Sequence, residues 1–227
     1  MTSIFARALG PDFGQLHPEL QRRFGFDSTD GAACVGTGVM DEVWRGGAFT
    51  LPFLYLGTTR HILFPERGRN VPFSIENFAY RDSFGRETVT FVRTFDLAPG
   101  MRRRFDATMV YSPPRGRIVD YLGTHQHLAV DLDLRVDSGG GLQIRTGSQR
   151  CYAGFLGVRL PSGMTGSARV REWYDEAARR FRIEVAVGNK RFGPLFGYRG
   201  SFTVAYVDTR RHVVPASVRP LRENPRV

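Results

Sequence analysis

With 227 residues, 41% of them hydrophobic and 24% charged, the chain can bury a sizeable core, which excludes the disordered and collagen-like classes. A formal charge of +10 raises nucleic acid or an anionic membrane as partners. The excess is nearly all arginine, Lys190 being the only lysine, and it is dispersed, with short clusters such as Arg102 to Arg104, Arg179 to Arg180 and Arg210 to Arg211. Without an RNP, zinc-finger or helix-turn-helix pattern beside it, this charge reads as solvated surface, and no nucleic-acid partner is expected.

The start, MTSIFARALGPDF, lacks the apolar stretch and cleavage site of a signal peptide. No run approaches the roughly 20 apolar residues that span a bilayer, so no transmembrane segment is expected. Cys34 and Cys151 are isolated, without CxxC or framework spacing. A cytoplasmic location follows as the expectation, with peripheral membrane contact left open.

In chain order, PDFGQLHPELQRRFG predicts a helix, with Phe13, Leu16, Leu20 and Phe24 at helical spacing and Gly25 as a stop. The period then changes to that of strands at ACVGTGVMDEVW. GAFTLPFLYLGTTRHILFPERGRNVPF reads as a short helix and an irregular loop, and from 71 to 207 strand follows strand across turns such as DSFGRE, APG, SPPRG, DSGGG and DEAARR. The tail, TRRHVVPASVRPLRENPRV, has three prolines among dispersed charge and predicts a loose extension. The expected protein is one domain, 1–227: a helical segment at 1–30, a barrel at 31–207 and a loose tail at 208–227. About ten consecutive antiparallel strands favour a β-barrel or strongly curved half-barrel, because closure removes sheet edges, with the N-terminal helix plugging an end.

Strand alternation assigns the faces. In LAVDLDLRV, Leu128, Val130, Leu132, Leu134 and Val136 form the apolar set, leaving His125, His127, Asp131, Asp133 and Arg135 outside. Elsewhere charge falls on the apolar stripe: Arg93 beside Val89, Phe91 and Phe95, and Asp120 between Ile118 and Leu122. Buried unpaired charges cost several kcal/mol, so these two are expected to pair with each other or to meet a ligand. Arg103 stands at the mouth of the stripe Phe105, Ala107 and Met109, and Tyr198 belongs to an aromatic wall of Phe196, Phe202 and Tyr206. The expected interior is an apolar, aromatic cavity with a few polar groups; a structural ion pair in a filled core reads identically in sequence.

Other chemistry finds little support. His125 and His127, at i and i+2, could reach one zinc, but Asp131 lies roughly 13 Å along the strand and nothing places His17, His61 or His212 nearby, so no metal is expected. GxSxG, P-loop, HExxH and a GxGxxG following a strand are absent. The glycines of CVGTGVMD suit a bulge or close packing more than a phosphate cradle. Cys34 and Cys151 as nucleophiles, and Lys190 as a Schiff-base lysine, have no local support. No cofactor is expected.

The motifs FARALGPDFGQLHPELQRRFG, GTGVMDEV, FPERGRNVPF, VRTFDL, RRRFDATM, RIVDYLGTHQHL, GGLQIRTG, LPSGMTGSARVREWYD and NKRFGPLFGYRGSF, in this order, cover most of the chain. Together they resemble a bacterial domain-of-unknown-function family, family 4166. The resemblance implies stand-alone proteins or modules fused behind a dehydrogenase-like or epimerase-like nucleotide-binding domain, so any reductase role would need an oxidoreductase partner on a separate chain. It implies no reaction. Asp120, Gly123 and His127 match its pattern, whereas His125, Asp131 and Asp133 do not do so clearly; Glu66, Arg93, Arg103, Asp106 and Tyr198 also lie in matching motifs.

The leading expectation is binding of an apolar or aromatic small molecule in the barrel, anchored by Arg93, Arg103, Asp120, His127 and Tyr198. The alternative is a cofactor-independent isomerase, cyclase or hydrolase in the same cavity, with Asp120 or His127 as general base and Arg93 stabilising negative charge. A third is an accessory module for a dehydrogenase-like partner. Fold alone does not choose among them.

Overall fold

Pro18 has no backbone N–H and disfavours a helical residue before it, so the chain cannot run as one helix through HPELQRRFG. The computed structural model, which describes residues 2–153, 156–159, 166–189, 191–210 and 214–227, divides the segment accordingly. A first helix, α1 (Ile4–Leu9), missed by the periodicity, is capped by the Ser3 hydroxyl, which accepts from the Ala6 N–H. A 3-10 turn (Gly10–Gln15) follows, and α2 (Pro18–Gly25) starts behind the imidazole of His17, which accepts from the Glu19 N–H. Lys190 and His212, considered above for a Schiff base and a metal, lie outside the described residues.

The strands are β1 (Ala32–Arg45), β2 (Gly68–Arg81), β3 (Glu87–Ala98), β4 (Met101–Ser112), β5 (Arg117–Leu122), β6 (Leu128–Val136), β7 (Leu142–Ala153), β8 (Leu156–Arg159), β9 (Ser167–Asp175), β10 (Arg180–Asn189) and β11 (Gly193–Asp208). Every neighbouring pair is antiparallel. Pairing of β6 with β7, and of β1 with β11, closes ten strands into a barrel; β8 is a short addition on β7. The expected barrel with an N-terminal helical plug is therefore the fold.

Alternation fills the interior with Met40, Phe73, Phe91, Phe95, Met109, Ile118 and Phe202 among others. Ile4, Phe5, Leu20 and Phe24 of the two N-terminal helices join this core at one end. That end is further fixed by the His17 N–H, which donates to the Gly140 carbonyl in the β6–β7 turn. The opposite end is closed by the segment between β1 and β2, which contains α3 (Leu51–Thr58) and then a loop. Phe64 of that loop is fully buried, its ring 5.1 Å from Phe95 and 4.8 Å from Phe196. The glycines of β1 serve packing, as expected: a Cβ on Gly36 would lie 2.7 Å from Ile75 and 2.8 Å from Phe202.

The tail corrects the expectation of a loose extension. Val218 is buried with Ala33, Phe78 and Val92 on the barrel's outer face, and Val227 packs against Val110, Val119, Tyr121, Ala129 and Tyr152. Polar bonds fasten it: Leu221 N–H donates to the Thr124 carbonyl, Asn224 N–H to Gln126, and the Tyr121 hydroxyl to the Arg226 carbonyl. Composition suggested looseness, but the outward apolar residues of β1 to β6 supply a surface to cover. Removing residues 217–227 should therefore lower unfolding free energy by about 3 kcal/mol or more, about 1.5 to 3 kcal/mol from buried Val218 and the rest from partly buried Val227 and the polar bonds at about 1 kcal/mol each, measured by urea denaturation. A truncated chain as stable as the full one would show that the tail only rests there.

Candidate functional site

Three of the five predicted site residues project into the barrel. Arg93 of β3 stands between Phe105 of β4 and Ile75 of β2 in register, its guanidinium 4.8 Å from the Phe105 ring centroid and 5.4 Å from that of Phe91. Asp120 of β5 lies between Met109 and Val130. Tyr198 of β11 is fully buried, its ring centroid 5.0 Å from Phe95.

The expected direct pairing of Arg93 with Asp120 is not present among the described residues. Arg93 Nε and Nη1, Asp120 Oδ1 and Tyr198 Oη are all buried without a hydrogen-bond partner. The charges nonetheless sense one another. Burial pushes the Asp120 carboxyl up to about 7, with Arg93 opposing the rise, and pushes the Tyr198 hydroxyl up to about 12, again against Arg93. The interior thus carries a cation, a carboxyl that exchanges its proton near neutrality, and a neutral phenol, surrounded by aromatic rings.

Arg103 and His127 do not join them. Arg103 is part-exposed at the barrel rim and forms an ion pair with Glu66, whose Oε2 is buried without a partner. His125 and His127 precede β6 in the β5–β6 turn, where Gln126 has φ 51°, so they do not alternate on a strand. Gly123, at φ 74°, lets the Arg60 carbonyl approach and accept from the Thr124 N–H. The two imidazole centroids are 5.6 Å apart. Desolvation and then Arg60 depress both pKa values, with Arg222 acting in the same direction. Among the described residues, no group of three His, Cys, Asp or Glu is placed to hold a metal ion.

Asp131 and Asp133 face outward as expected. Asp133 is exposed beside Arg135, while Asp131 is buried under Arg115 and Arg150.

A second charged cluster escaped the sequence reading. Arg23 of α2, completely buried, forms an ion pair with Glu172 of β9 and donates to Cys34 Sγ at 3.0 Å. Burial opposes the guanidinium charge, yet Glu172 and Cys34 hold its pKa above the ordinary arginine value. Burial likewise pushes the Cys34 thiol up, against Arg23, which leaves it a poor nucleophile at neutral pH. The signals were present: Leu20, Arg23 and Phe24 share a helical face, and Val170, Glu172 and Tyr174 share a strand face.

Two surface clefts, about 340 and 280 Å³, are lined by Glu42 to Arg45 with Arg67 to Arg69, and by Asp41, Glu42, Arg69, Asn70 and Arg199; neither includes the interior trio. No helix among the described residues is long and apolar enough to cross a membrane.

The chain is similar to the "Uncharacterized protein YndH" of Bacillus subtilis (strain 168), with 34% identity over 202 residues, 89% of this chain and 97% of the relative. No solved structure matches it significantly. A family model matches residues 16–202, a span that includes Arg93, Asp120, Tyr198 and the Arg23–Glu172 pair. The chain therefore belongs to the family described as Domain of unknown function (DUF4166).

Proposed function

We propose that the barrel binds an apolar or aromatic small molecule bearing one polar group, with Arg93, Asp120 and Tyr198 as its anchors. The supporting observation is the unfilled hydrogen-bonding capacity of these three side chains inside an aromatic core. Buried polar groups are seldom left without a partner, so the trio requires one from outside the chain. Aromatic rings around the trio suit a flat or hydrocarbon body, and Arg93 suits an oxygen-bearing group. Both barrel ends are plugged, so entry requires either the N-terminal helices or the Phe64 loop to move.

A second reading has one observation in its favour. A carboxyl that titrates near pH 7 is matched to general-base work at neutral pH, and Arg93 would stabilise the anion left after proton removal. An isomerisation, in which Asp120 takes a proton and returns it elsewhere on the same molecule, would need no cofactor.

Native mass spectrometry of the purified chain tests the binding reading. A retained mass of a few hundred daltons is expected, and its loss in the folded variant Asp120→Asn/Tyr198→Phe. A chain that carries nothing and shows no thermal shift with a panel of aromatic and fatty acids would overturn it.

A further inference from the structure

The exposed large hydrophobic side chains are not scattered. Among the described residues there are nine, and apart from Val39 and Phe84 all lie at the barrel end closed by α3. Helix α3 itself is apolar on every side: Leu54 and Gly57 are buried against the barrel, while Phe53 and Leu56 are 72% and 69% exposed. Tyr55 stands exposed beside them. Phe49, before α3, meets Phe192 of the β10–β11 turn with ring centroids 5.9 Å apart. Leu221, 77% exposed, is held at the same end because its N–H donates to the Thr124 carbonyl. Leaving this much aromatic and aliphatic surface in water at one end of the barrel is costly, and monomeric soluble proteins seldom do so without a use for it.

Among the described residues, the charges around the patch that lack an ion-pair partner are of one sign. Arg45 and Arg67 flank it, with Arg67 donating to the Gly46 carbonyl at 3.1 Å; Arg60 follows α3, Arg191 precedes Phe192 and Arg222 follows Leu221. None of these five has a carboxylate partner among the described residues. The carboxylates near this end are engaged: Glu42 with Arg199, Glu66 with Arg103, Asp96 with Arg102, and Asp106 with Arg104 and His61.

From this juxtaposition we infer that the α3 end of the barrel docks onto the surface of an anionic lipid bilayer. Phe53, Leu56, Phe49 and Phe192 enter the headgroup and upper acyl region, and the five arginines meet lipid phosphates. A helix apolar all round fits a medium that surrounds it better than a groove that would cover one face. Aromatic rings and tyrosine favour the interfacial zone, and each arginine near an anionic surface adds attraction. The inference uses residues other than the interior trio, so either can fail alone.

Co-sedimentation of the full chain with vesicles tests it, using phosphatidylcholine alone and phosphatidylcholine with about 30% phosphatidylglycerol. Binding to the anionic vesicles is expected, weakening as salt rises. Phe53→Ser/Leu56→Ser, whose exposed positions leave the fold intact, should lower partitioning at least about tenfold. Arg60→Gln/Arg67→Gln should lower it about fivefold per arginine and narrow the preference for anionic lipid by the same factor. No sedimentation above the vesicle-free control, or none of these losses in variants with wild-type thermal unfolding, would overturn the inference. So would a dimer in sedimentation velocity that the serine variant dissolves while vesicles bind neither form, since the patch would then be a self-interface.

Discussion

Replacing Arg23 by methionine should cost about 3 to 5 kcal/mol of unfolding free energy at neutral pH. The side chain is completely buried where α2 meets the barrel interior, and its removal leaves the Glu172 carboxylate in the core with no cation in contact. The guanidinium also lies 5.0 Å from the Phe202 ring centroid and 5.7 Å from that of Phe181, so the variant loses cation–π attraction too. Methionine fills much of the same volume, which confines the effect to charge. Glu172→Gln should cost a similar amount because it strands the arginine instead. The double variant Arg23→Met/Glu172→Leu should recover much of either loss, since two desolvated charges leave together. Urea denaturation of the three variants measures this; single variants within about 1 kcal/mol of wild type would mean that the pair is solvated or replaced.

The interplay of faces and ends explains what was legible in the sequence. Alternation alone placed Arg93, Asp120 and Tyr198 inward, because a barrel strand has only two sides and the apolar residues mark one of them. The same reasoning, applied to Val170, Glu172 and Tyr174, would have found the second interior charge. What alternation cannot supply is position along the barrel axis. Arg93 and Asp120 were expected to touch, yet the register sets Arg93 opposite Phe105 and Asp120 opposite Met109, two inward positions apart on β4. His125 and His127 were assigned to a strand because the spacing is alternate; left-handed Gly123 and Gln126 instead turn the chain there. The docked tail was illegible for a different reason, since its contacts are tertiary and its composition is that of a loop.

That separation along β4 shapes what Asp120 should do. Its pKa is about 7 in the folded chain against an ordinary aspartate value of 3.8, so between about pH 4 and 7 the folded state holds a proton that the unfolded state has lost. Stability from this group is therefore fully present below about pH 4 and is lost as pH rises through 7. At 1.36 kcal/mol per unit, the loss by pH 8 is on the order of 4 kcal/mol. Asp120→Asn cannot titrate and resembles the protonated carboxyl. Its stability relative to wild type should thus rise by about 4 kcal/mol from pH 4 to pH 8, a difference that cancels every other titrating group. Arg93→Met should extend the wild-type loss to higher pH, because the charge that opposes the rise is gone and no hydrogen bond between the two has to be broken. Urea denaturation at half-unit steps from pH 4 to 8 would follow both shifts. Parallel profiles for wild type and Asp120→Asn would mean that Asp120 is solvated in the folded chain. In that case the carboxyl would be neither a buried anchor nor a base poised near neutrality.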